Sequence, residues 1–179
     1  MEEKQRSLKE IAKNIKLLIL DVDGVLTDGS IILDNDNNEL KRFHVRDGHG
    51  IKMLVGAGMR VAIITGRYSQ VVERRARELG ITDIYQRCLV KTVAFDDLIE
   101  KLKVSSEEVA YVGDDVVDIP IFRRVGLPIA VSDAAEEAKD YALMITRNPG
   151  GRGAVREVCD LLLRSTGRWE SIIGEYLEA

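Results

Sequence analysis

The spacing of apolar residues along the chain predicts alternating strands and helices. Short apolar runs are typical of buried strands, and they lie at residues 17–20, 60–64, 84–85, 109–112 and 127–131. Apolar residues at helical spacing predict helices at residues 8–15, 47–56, 68–79, 92–103, 118–125, 134–141, 154–164 and 169–177. This alternation indicates the α/β fold class, with a parallel sheet that helices cover on both faces.

The segment after the first strand interrupts this order. Two β-prone runs, at 30–33 and 40–45, flank an Asn- and Asp-rich turn at 34–38. They predict a β-hairpin inserted at about residues 29–45. Asp47 is then expected to cap the following helix, which Gly56 ends.

The composition fits a single domain at residues 1–179 and argues against several function classes. A hydrophobic content of 45% and a charged content of 31% are ordinary for a soluble globular protein of this length. The net charge of −4 argues against nucleic acid as the main partner, and no apolar run approaches the length of a membrane span. The charged N-terminal residues lack the apolar core of a secretion signal. Because Cys88 and Cys159 are too few for a disulfide framework, we expect free thiols in the cytoplasm.

Two acidic residues directly follow the first apolar run. Asp21 and Asp23 are separated by one apolar residue, and Gly24 then breaks the strand. Two carboxylates at this distance repel each other unless a cation lies between them. The oxygen ligands favour a hard cation, and Mg²⁺ fits best. Taken alone, the pattern also fits an acidic turn after a strand.

Three further segments place polar residues next to predicted strands or helices. The second long strand ends in Thr65, Gly66 and Arg67, and Lys91 stands before an amphipathic helix. The strand at 109–112 is followed by three acids: Asp114, Asp115 and Asp118. In an open α/β sheet the ligand crevice lies at the carboxyl ends of the strands, so these groups are expected to converge with the first acid pair.

This order of acid pair, hydroxyl, lysine and second acid pair resembles the haloacid dehalogenase-like phosphotransferases. The resemblance extends from about Lys16 to Val158. It implies a Rossmann-like parallel sheet with strand order 5-4-1-2-3, helices on both faces, and a small β-hairpin in place of a cap. It also implies that the hairpin helps to build a homotetramer. The apolar side chains at 31, 33, 40 and 43 would be buried there, because an isolated two-stranded hairpin is marginal in water.

Within that superfamily, five segments resemble the 3-deoxy-D-manno-octulosonate 8-phosphate phosphatase family. They are DGVLTDG at 23–29, VRDGHGIK at 45–52, ELGI at 78–81, GDDxxD at 113–118 and PGGRGAVREV at 149–158. The segment 87–91 departs from the family pattern but keeps its final lysine, Lys91. The resemblance implies a Mg²⁺-dependent phosphomonoester hydrolase of lipopolysaccharide precursor synthesis, with a small phosphorylated sugar acid as its partner.

The resemblance also implies a role for each matching residue. Asp21 would be the nucleophile that forms an aspartyl-phosphate, and Asp23 the general acid and then the base. Thr65 would donate to a phosphoryl oxygen, and Lys91 would offset negative charge in the transition state. Mg²⁺ would be held by Asp21, Asp114 and the backbone carbonyl of Asp23. On base rates alone, Thr65 could instead cap a helix and Lys91 could be a solvated lysine.

Further residues are expected around this centre. Either Asp115 or Asp118 would hold metal-bound water or orient Asp114, and Asp118 is also a plausible helix cap. Arginine suits a sugar acid because it can grip a carboxylate with two parallel hydrogen bonds. The substrate-binding candidates are Gly66, Arg67, Arg46 and Arg152. The glycine loop at 149–153 could bring Arg152 over its own site or over that of a neighbouring subunit.

Other functions compete with this interpretation. The nearest is a phosphatase for a nine-carbon 2-keto sugar acid 9-phosphate. A signalling receiver domain also accepts phosphate on an aspartate beside a metal, but its phospho-acceptor lies later in the fold. A non-catalytic oligomerisation module would have no reason to keep the acids, the hydroxyl and the lysine together.

Overall fold

A computed structural model describes residues 2–36 and 38–178, with side chains from residue 8 onward. Asn37, in the predicted turn of the hairpin, lies outside the described residues. The strands are β1 (Leu17–Leu20), β2 (Ile32–Leu33), β3 (Glu39–Leu40), β4 (Arg60–Ile64), β5 (Asp83–Tyr85), β6 (Val109–Gly113), β7 (Leu127–Ala130) and β8 (Met144–Ile145). The helices are α1 (Glu2–Lys13), α2 (Val45–Gly56), α3 (Gln70–Glu78), α4 (Lys91–Leu102), α5 (Ile119–Phe122), α6 (Glu136–Lys139), α7 (Ala154–Ser165) and α8 (Trp169–Glu178).

Six of the strands form one parallel sheet in the order β5-β4-β1-β6-β7-β8. This confirms the α/β fold class and the order expected for the five apolar runs. The structure adds β8 at one edge, a two-residue strand too short for its apolar pattern to be distinctive. Among the described residues, no helix is long and apolar enough to cross a membrane.

The central strand, β1, fixes the position of the first acid. Its four residues, Leu17–Leu20, are fully buried, because β4 and β6 flank it and helices cover both faces. A continuous apolar run is typical of such a strand. The Asp21 backbone N–H donates to the Val112 carbonyl of β6 at 3.1 Å, so the ladder continues by one residue. Asp21 is thereby held at the carboxyl edge of the sheet.

The hairpin is shorter than its sequence predicts. Its two strands pair Ile32 with Leu40 and Leu33 with Glu39, and the flanking residues of both predicted runs are irregular. Leu33 and Leu40 are 61% and 57% exposed. A hairpin with only two paired residues on each strand has little side-chain surface with which to cover itself, so its apolar side faces outward.

The prediction that Asp47 caps its own helix was wrong. Helix α2 begins earlier, at Val45, and His44 at its N-cap makes no side-chain cap hydrogen bond. The buried Asp47 carboxylate instead accepts hydrogen bonds from the backbone N–H groups of Gly153 (3.2 Å) and Arg156 (2.7 Å). It therefore caps α7, where the first turn leaves N–H groups without helical partners. The sequence indicated a capping residue but could not indicate which helix it caps.

The predicted helices at 118–125 and 134–141 are real but shorter. Helix α5 spans only Ile119–Phe122 and follows a 3₁₀ turn at Val116–Asp118. Pro120 lies in its first turn, as its missing N–H requires. Helix α6 spans only Glu136–Lys139.

The glycine loop at 149–153 packs against the loop that follows β1 of the same chain. A Cβ at Gly150 would lie 1.7 Å from the Gly24 carbonyl oxygen, so a side chain has no room there. The Gly150 N–H donates to Asp133 Oδ1 at 2.8 Å, and the Gly151 N–H donates to the Val25 carbonyl at 2.8 Å. These contacts fix the glycine loop beside the residues that directly follow Asp21 and Asp23.

Substitution Gly150→Ala is therefore expected to lower the free energy of unfolding by about 1–3 kcal/mol, because the methyl group would meet backbone that cannot rotate away. Urea denaturation measures this change. Gly174→Ala in helix α8 is the matched control, since its added methyl would meet no atom within 4 Å. An unchanged midpoint for Gly150→Ala would contradict the close approach.

Candidate active site

The carboxyl ends of the central strands bring together the residues that the sequence singled out. Asp21 follows β1, Thr65 follows β4 and Asp114 follows β6. Carboxylate oxygens of Asp21, Asp114 and Asp118 lie within 4.8 Å of one another. The parallel pairing of β1 with both neighbours explains this convergence, because all three strands end at the same edge.

Lys91 lies inside this acid cluster. It is the first residue of α4, and its side chain is only 4% exposed. Its ammonium donates to Asp21 Oδ2 at 2.7 Å and to Asp118 Oδ1 at 2.6 Å. A solvated lysine at a helix start does not fit this environment. The structure therefore places the Lys91 ammonium between the Asp21 and Asp118 carboxylates.

Of the three acids that follow β6, Asp118 rather than Asp115 is buried beside Lys91. It is fully buried, and its Oδ1 also accepts from the Tyr111 hydroxyl at 2.7 Å. Its Oδ2 accepts from the backbone N–H groups of Asp114 (3.0 Å) and Asp115 (3.3 Å). Asp115 is exposed and caps the 3₁₀ turn through the Val116 N–H. Asp118 thus orients both Lys91 and the backbone of Asp114.

Acidic side chains outnumber basic ones in the cluster. Burial and the neighbouring carboxylates of Asp21 and Asp118 raise the pKa of Asp114 to about 8. Burial also raises the pKa of Asp21, against the opposing effect of Lys91. Burial alone would lower the pKa of Lys91, but Asp21 and Asp118 outweigh it and raise that pKa. Three carboxylates beside one ammonium form a set of oxygen ligands suited to a hard divalent cation.

Asp23 points toward the hairpin rather than into the acid cluster. Its Oδ1 contacts the ammonium of Lys41, and its Oδ2 lies 3.7 Å from Arg67 Nε. The same guanidinium donates to Glu39 Oε1 of β3 at 2.7 Å. Arg67, whose side chain is 43% exposed, therefore lies beside Asp23 at the solvent side of the cluster.

The remaining predicted site residues lie in two different places. Thr65, directly after β4, is buried, and a Cβ at Gly66 would meet only the Cys88 carbonyl, at 3.9 Å, so the chain leaves space there. Arg46 and Arg152 both line a different cavity of about 820 Å³, rich in basic side chains, that none of the catalytic candidates lines. Arg152 also lies beside the segment that follows the first acid pair, because its Nη2 is 4.0 Å from Asp28 Oδ2.

Sequence reasoning missed Tyr111 and Lys41. Tyr111 lies in the middle of an apolar strand, where an aromatic residue is typical of the core, so its hydroxyl gave no separate signal. Lys41 lies among charged residues in a predicted exposed hairpin. Only the folded arrangement shows that its side chain is 1% exposed and in contact with Asp23.

Comparisons with known proteins agree with this geometry. The haloacid dehalogenase-like hydrolase family model matches residues 76–157. A curated relative, the 3-deoxy-D-manno-octulosonate 8-phosphate phosphatase of Escherichia coli, is 53% identical over 164 residues. The match covers 92% of this chain and 87% of the relative.

Two solved structures of phosphatases with the same name superpose on the chain. The Yersinia pestis protein is 49% identical, with a TM-score of 0.90, and the match covers 91% of this chain and 88% of that one. The Moraxella catarrhalis protein, in complex with magnesium ion, phosphate ion and a KDO molecule, is 41% identical. Its TM-score is 0.93, and the match covers 96% of this chain and 98% of that one. This chain belongs to the 3-deoxy-D-manno-octulosonate 8-phosphate phosphatase family of haloacid dehalogenase-like hydrolases.

Proposed function

We propose that this protein hydrolyses 3-deoxy-D-manno-octulosonate 8-phosphate to the free sugar acid and phosphate, a step in lipopolysaccharide precursor synthesis. The observation that carries this proposal is the buried cluster of Asp21, Lys91, Asp114 and Asp118, in a chain 53% identical to the Escherichia coli phosphatase of that name. The cluster supplies a nucleophilic carboxylate, a fixed cation and a set of metal ligands in one place.

The donor set fits magnesium, the ion that the Moraxella catarrhalis structure contains. Asp21, Asp114 and the backbone carbonyl of Asp23 would hold the ion, while Asp118 orients the Asp114 loop. Both Asp118 oxygens already accept hydrogen bonds from Lys91, Tyr111 and backbone N–H groups. When bound, the ion would neutralise negative charge on the phosphoryl oxygens.

In the first step, a carboxylate oxygen of Asp21 attacks phosphorus and forms the aspartyl-phosphate. The bond between phosphorus and the sugar oxygen breaks, and Asp23 gives its proton to that oxygen. The Asp21 carboxylate is held by Lys91 on Oδ2 and by the Val22 N–H on Oδ1 at 2.7 Å, so its orientation is fixed before substrate arrives. Thr65 donates its hydroxyl to a phosphoryl oxygen, and Lys91 stabilises the charge of the transition state.

In the second step, water attacks phosphorus and gives a proton to the Asp23 carboxylate. The bond between phosphorus and Asp21 breaks, which releases phosphate and restores both acids to their starting state. Asp23 suits both roles because it is half-buried beside the cluster and lies near Arg67. It is not one of the two acids that pair with Lys91.

Recognition of the sugar acid is assigned to groups outside the cluster. Arg67 at the mouth of the site would bind the carboxylate, and the Gly66 backbone has space beside it. Arg46 and Arg152 line the other cavity, and Arg152 also lies 4.0 Å from Asp28 after the first acid pair, so it would contact substrate in its own site or across an interface between subunits. A homotetramer built on the exposed apolar side of the hairpin would supply such an interface.

Substitution Asp21→Asn is expected to abolish phosphate release in the presence of Mg²⁺, because the amide keeps the size of the side chain but is not a nucleophile. Release of phosphate from a panel of sugar phosphates, including eight- and nine-carbon sugar acids, measures the activity. Full turnover by a folded Asp21→Asn protein would contradict the covalent mechanism.

Substitution Asp23→Asn is expected to reduce turnover by about 10²–10⁴-fold, the usual contribution of a general acid–base. Mg²⁺ binding should persist, because the proposed metal contact of Asp23 is its backbone carbonyl. Calorimetric titration with Mg²⁺ tests this second point. Loss of metal binding in Asp23→Asn would show that its side chain, rather than its carbonyl, is the ligand.

The stability of the metal-free protein is expected to fall as pH rises from about 4 to about 8. Over this range the folded state holds the Asp114 proton, with its pKa of about 8, while the unfolded state, with a pKa of 3.8, has lost it. Mg²⁺ should raise the Tm more at pH 8 than at pH 5, because it replaces that proton. Thermal melts with chelator and with Mg²⁺ test this, with Asp114→Asn as the control. An equal Mg²⁺ effect at both pH values would contradict it.

The tetramer proposal predicts that the double substitution Leu33→Ser with Leu40→Ser dissociates the assembly, because it removes exposed apolar side chains and leaves Lys41 in place. Sedimentation velocity measures the change in size. Tyr141→Ser, also exposed but outside the hairpin, should leave the assembly intact. A wild-type monomer with full activity would contradict a site shared between subunits.

A further inference from the structure

The hairpin has a polar side that faces its own active site. Lys41, directly after β3, has a side chain only 1% exposed, and its ammonium contacts Asp23 Oδ1 and lies 3.5 Å from Glu39 Oε1. A buried ammonium is costly unless it is paired, so the position of this lysine is strongly determined. No other ammonium group of the described residues contacts Asp23.

Four side chains of alternating charge form a ring. Asp23 contacts Lys41, Lys41 lies near Glu39, Glu39 accepts from Arg67 at 2.7 Å, and Arg67 Nε lies 3.7 Å from Asp23. Two members belong to the strand-end loops and two belong to the hairpin. The ring therefore links the hairpin to the carboxylate that acts on the leaving group.

We propose that Lys41 is a positioning residue that holds the Asp23 carboxylate in the orientation needed for proton transfer to the sugar oxygen. This inference rests on the proposed function of Asp23. The contact with Lys41 occupies Oδ1 and so restricts rotation of the carboxylate, while Oδ2 stays on the side of Arg67 and the mouth of the site. Glu39 completes the arrangement, because its Oε1 lies 3.5 Å from the Lys41 ammonium and accepts a hydrogen bond from Arg67 at 2.7 Å.

A simple docking role for the hairpin would predict a different pattern of burial. The neighbouring Arg42 also pairs with an acid, Asp28, but its side chain is 71% exposed. Exposed pairs of this kind contribute little to stability. Lys41 differs because its charge is withdrawn from water and contacts an acid assigned to the chemistry, so the two hairpin cations serve different purposes.

The test compares Lys41→Met with the wild-type protein on two phosphate esters. The sugar acid is a poor leaving group, and its oxygen must receive a proton as the bond to phosphorus breaks. The p-nitrophenolate ion leaves without a proton. Because kcat/KM reports the first phosphoryl transfer, Lys41→Met is expected to lower it for the sugar acid phosphate by about 10–100-fold, a part of the roughly 10²–10⁴-fold that a general acid–base contributes. The loss with p-nitrophenyl phosphate should be at least tenfold smaller. The KM for the sugar acid phosphate should change little.

Two matched variants separate positioning from folding or charge. Lys41→Arg should recover part of the lost activity, because it can still donate to Asp23. Arg42→Met, on the same hairpin, should keep wild-type kinetics. The Tm of each variant reports whether the hairpin remains folded, and Lys41→Gln is measured beside Lys41→Met so that a single misfolded variant does not decide the result.

Three results with Lys41→Met would contradict the positioning role. Unchanged kcat/KM for the sugar acid phosphate in Lys41→Met would overturn it. So would an equal loss with both esters, or an effect confined to KM, which would make Lys41 a substrate ligand instead. A wild-type protein that releases no phosphate from any ester would overturn the proposed function itself, which distinguishes the two failures.

Discussion

The structure depends on a buried ammonium shared between two carboxylates. Lys91 donates to Asp21 and Asp118 at 2.7 and 2.6 Å, and Tyr111 completes the bonding of Asp118. Buried charges are tolerated only when they are paired and hydrogen-bonded, so this network constrains three strand or helix ends at once. It holds the Asp21 carboxylate in place, while burial and the neighbouring carboxylates raise the pKa of Asp114, an effect that a divalent cation would oppose.

The hairpin covers the site from one side, because the described residues form no large cap domain. One side of it carries charged groups that meet Asp23 and Arg67 of the same chain, and the other exposes Leu33 and Leu40. The two sides suit a segment that belongs to one active site and also packs against other subunits. A change to its apolar side would then alter assembly, while a change to its polar side would alter chemistry.

Much of the fold could be predicted from the sequence because it rests on local patterns. The apolar runs predicted the strands, the family resemblance implied their order, and the carboxyl-end rule placed Asp21, Thr65 and Asp114 together. Long-range partners could not be predicted in this way: Asp47 caps a helix more than a hundred residues away, and nothing local shows that Lys41 is buried. Short elements such as β8 carry too few residues for a distinctive period.

The central claim is that Asp21 becomes covalently phosphorylated. The most direct test is rapid acid quench of the enzyme during turnover of the phosphorylated sugar acid with Mg²⁺, followed by mass spectrometry of the peptide that contains residues 17–28. The account predicts a phosphoryl group on Asp21, lost when the substrate is exhausted. Steady turnover with no phosphoryl group on the enzyme, or with one on a different residue, would contradict it.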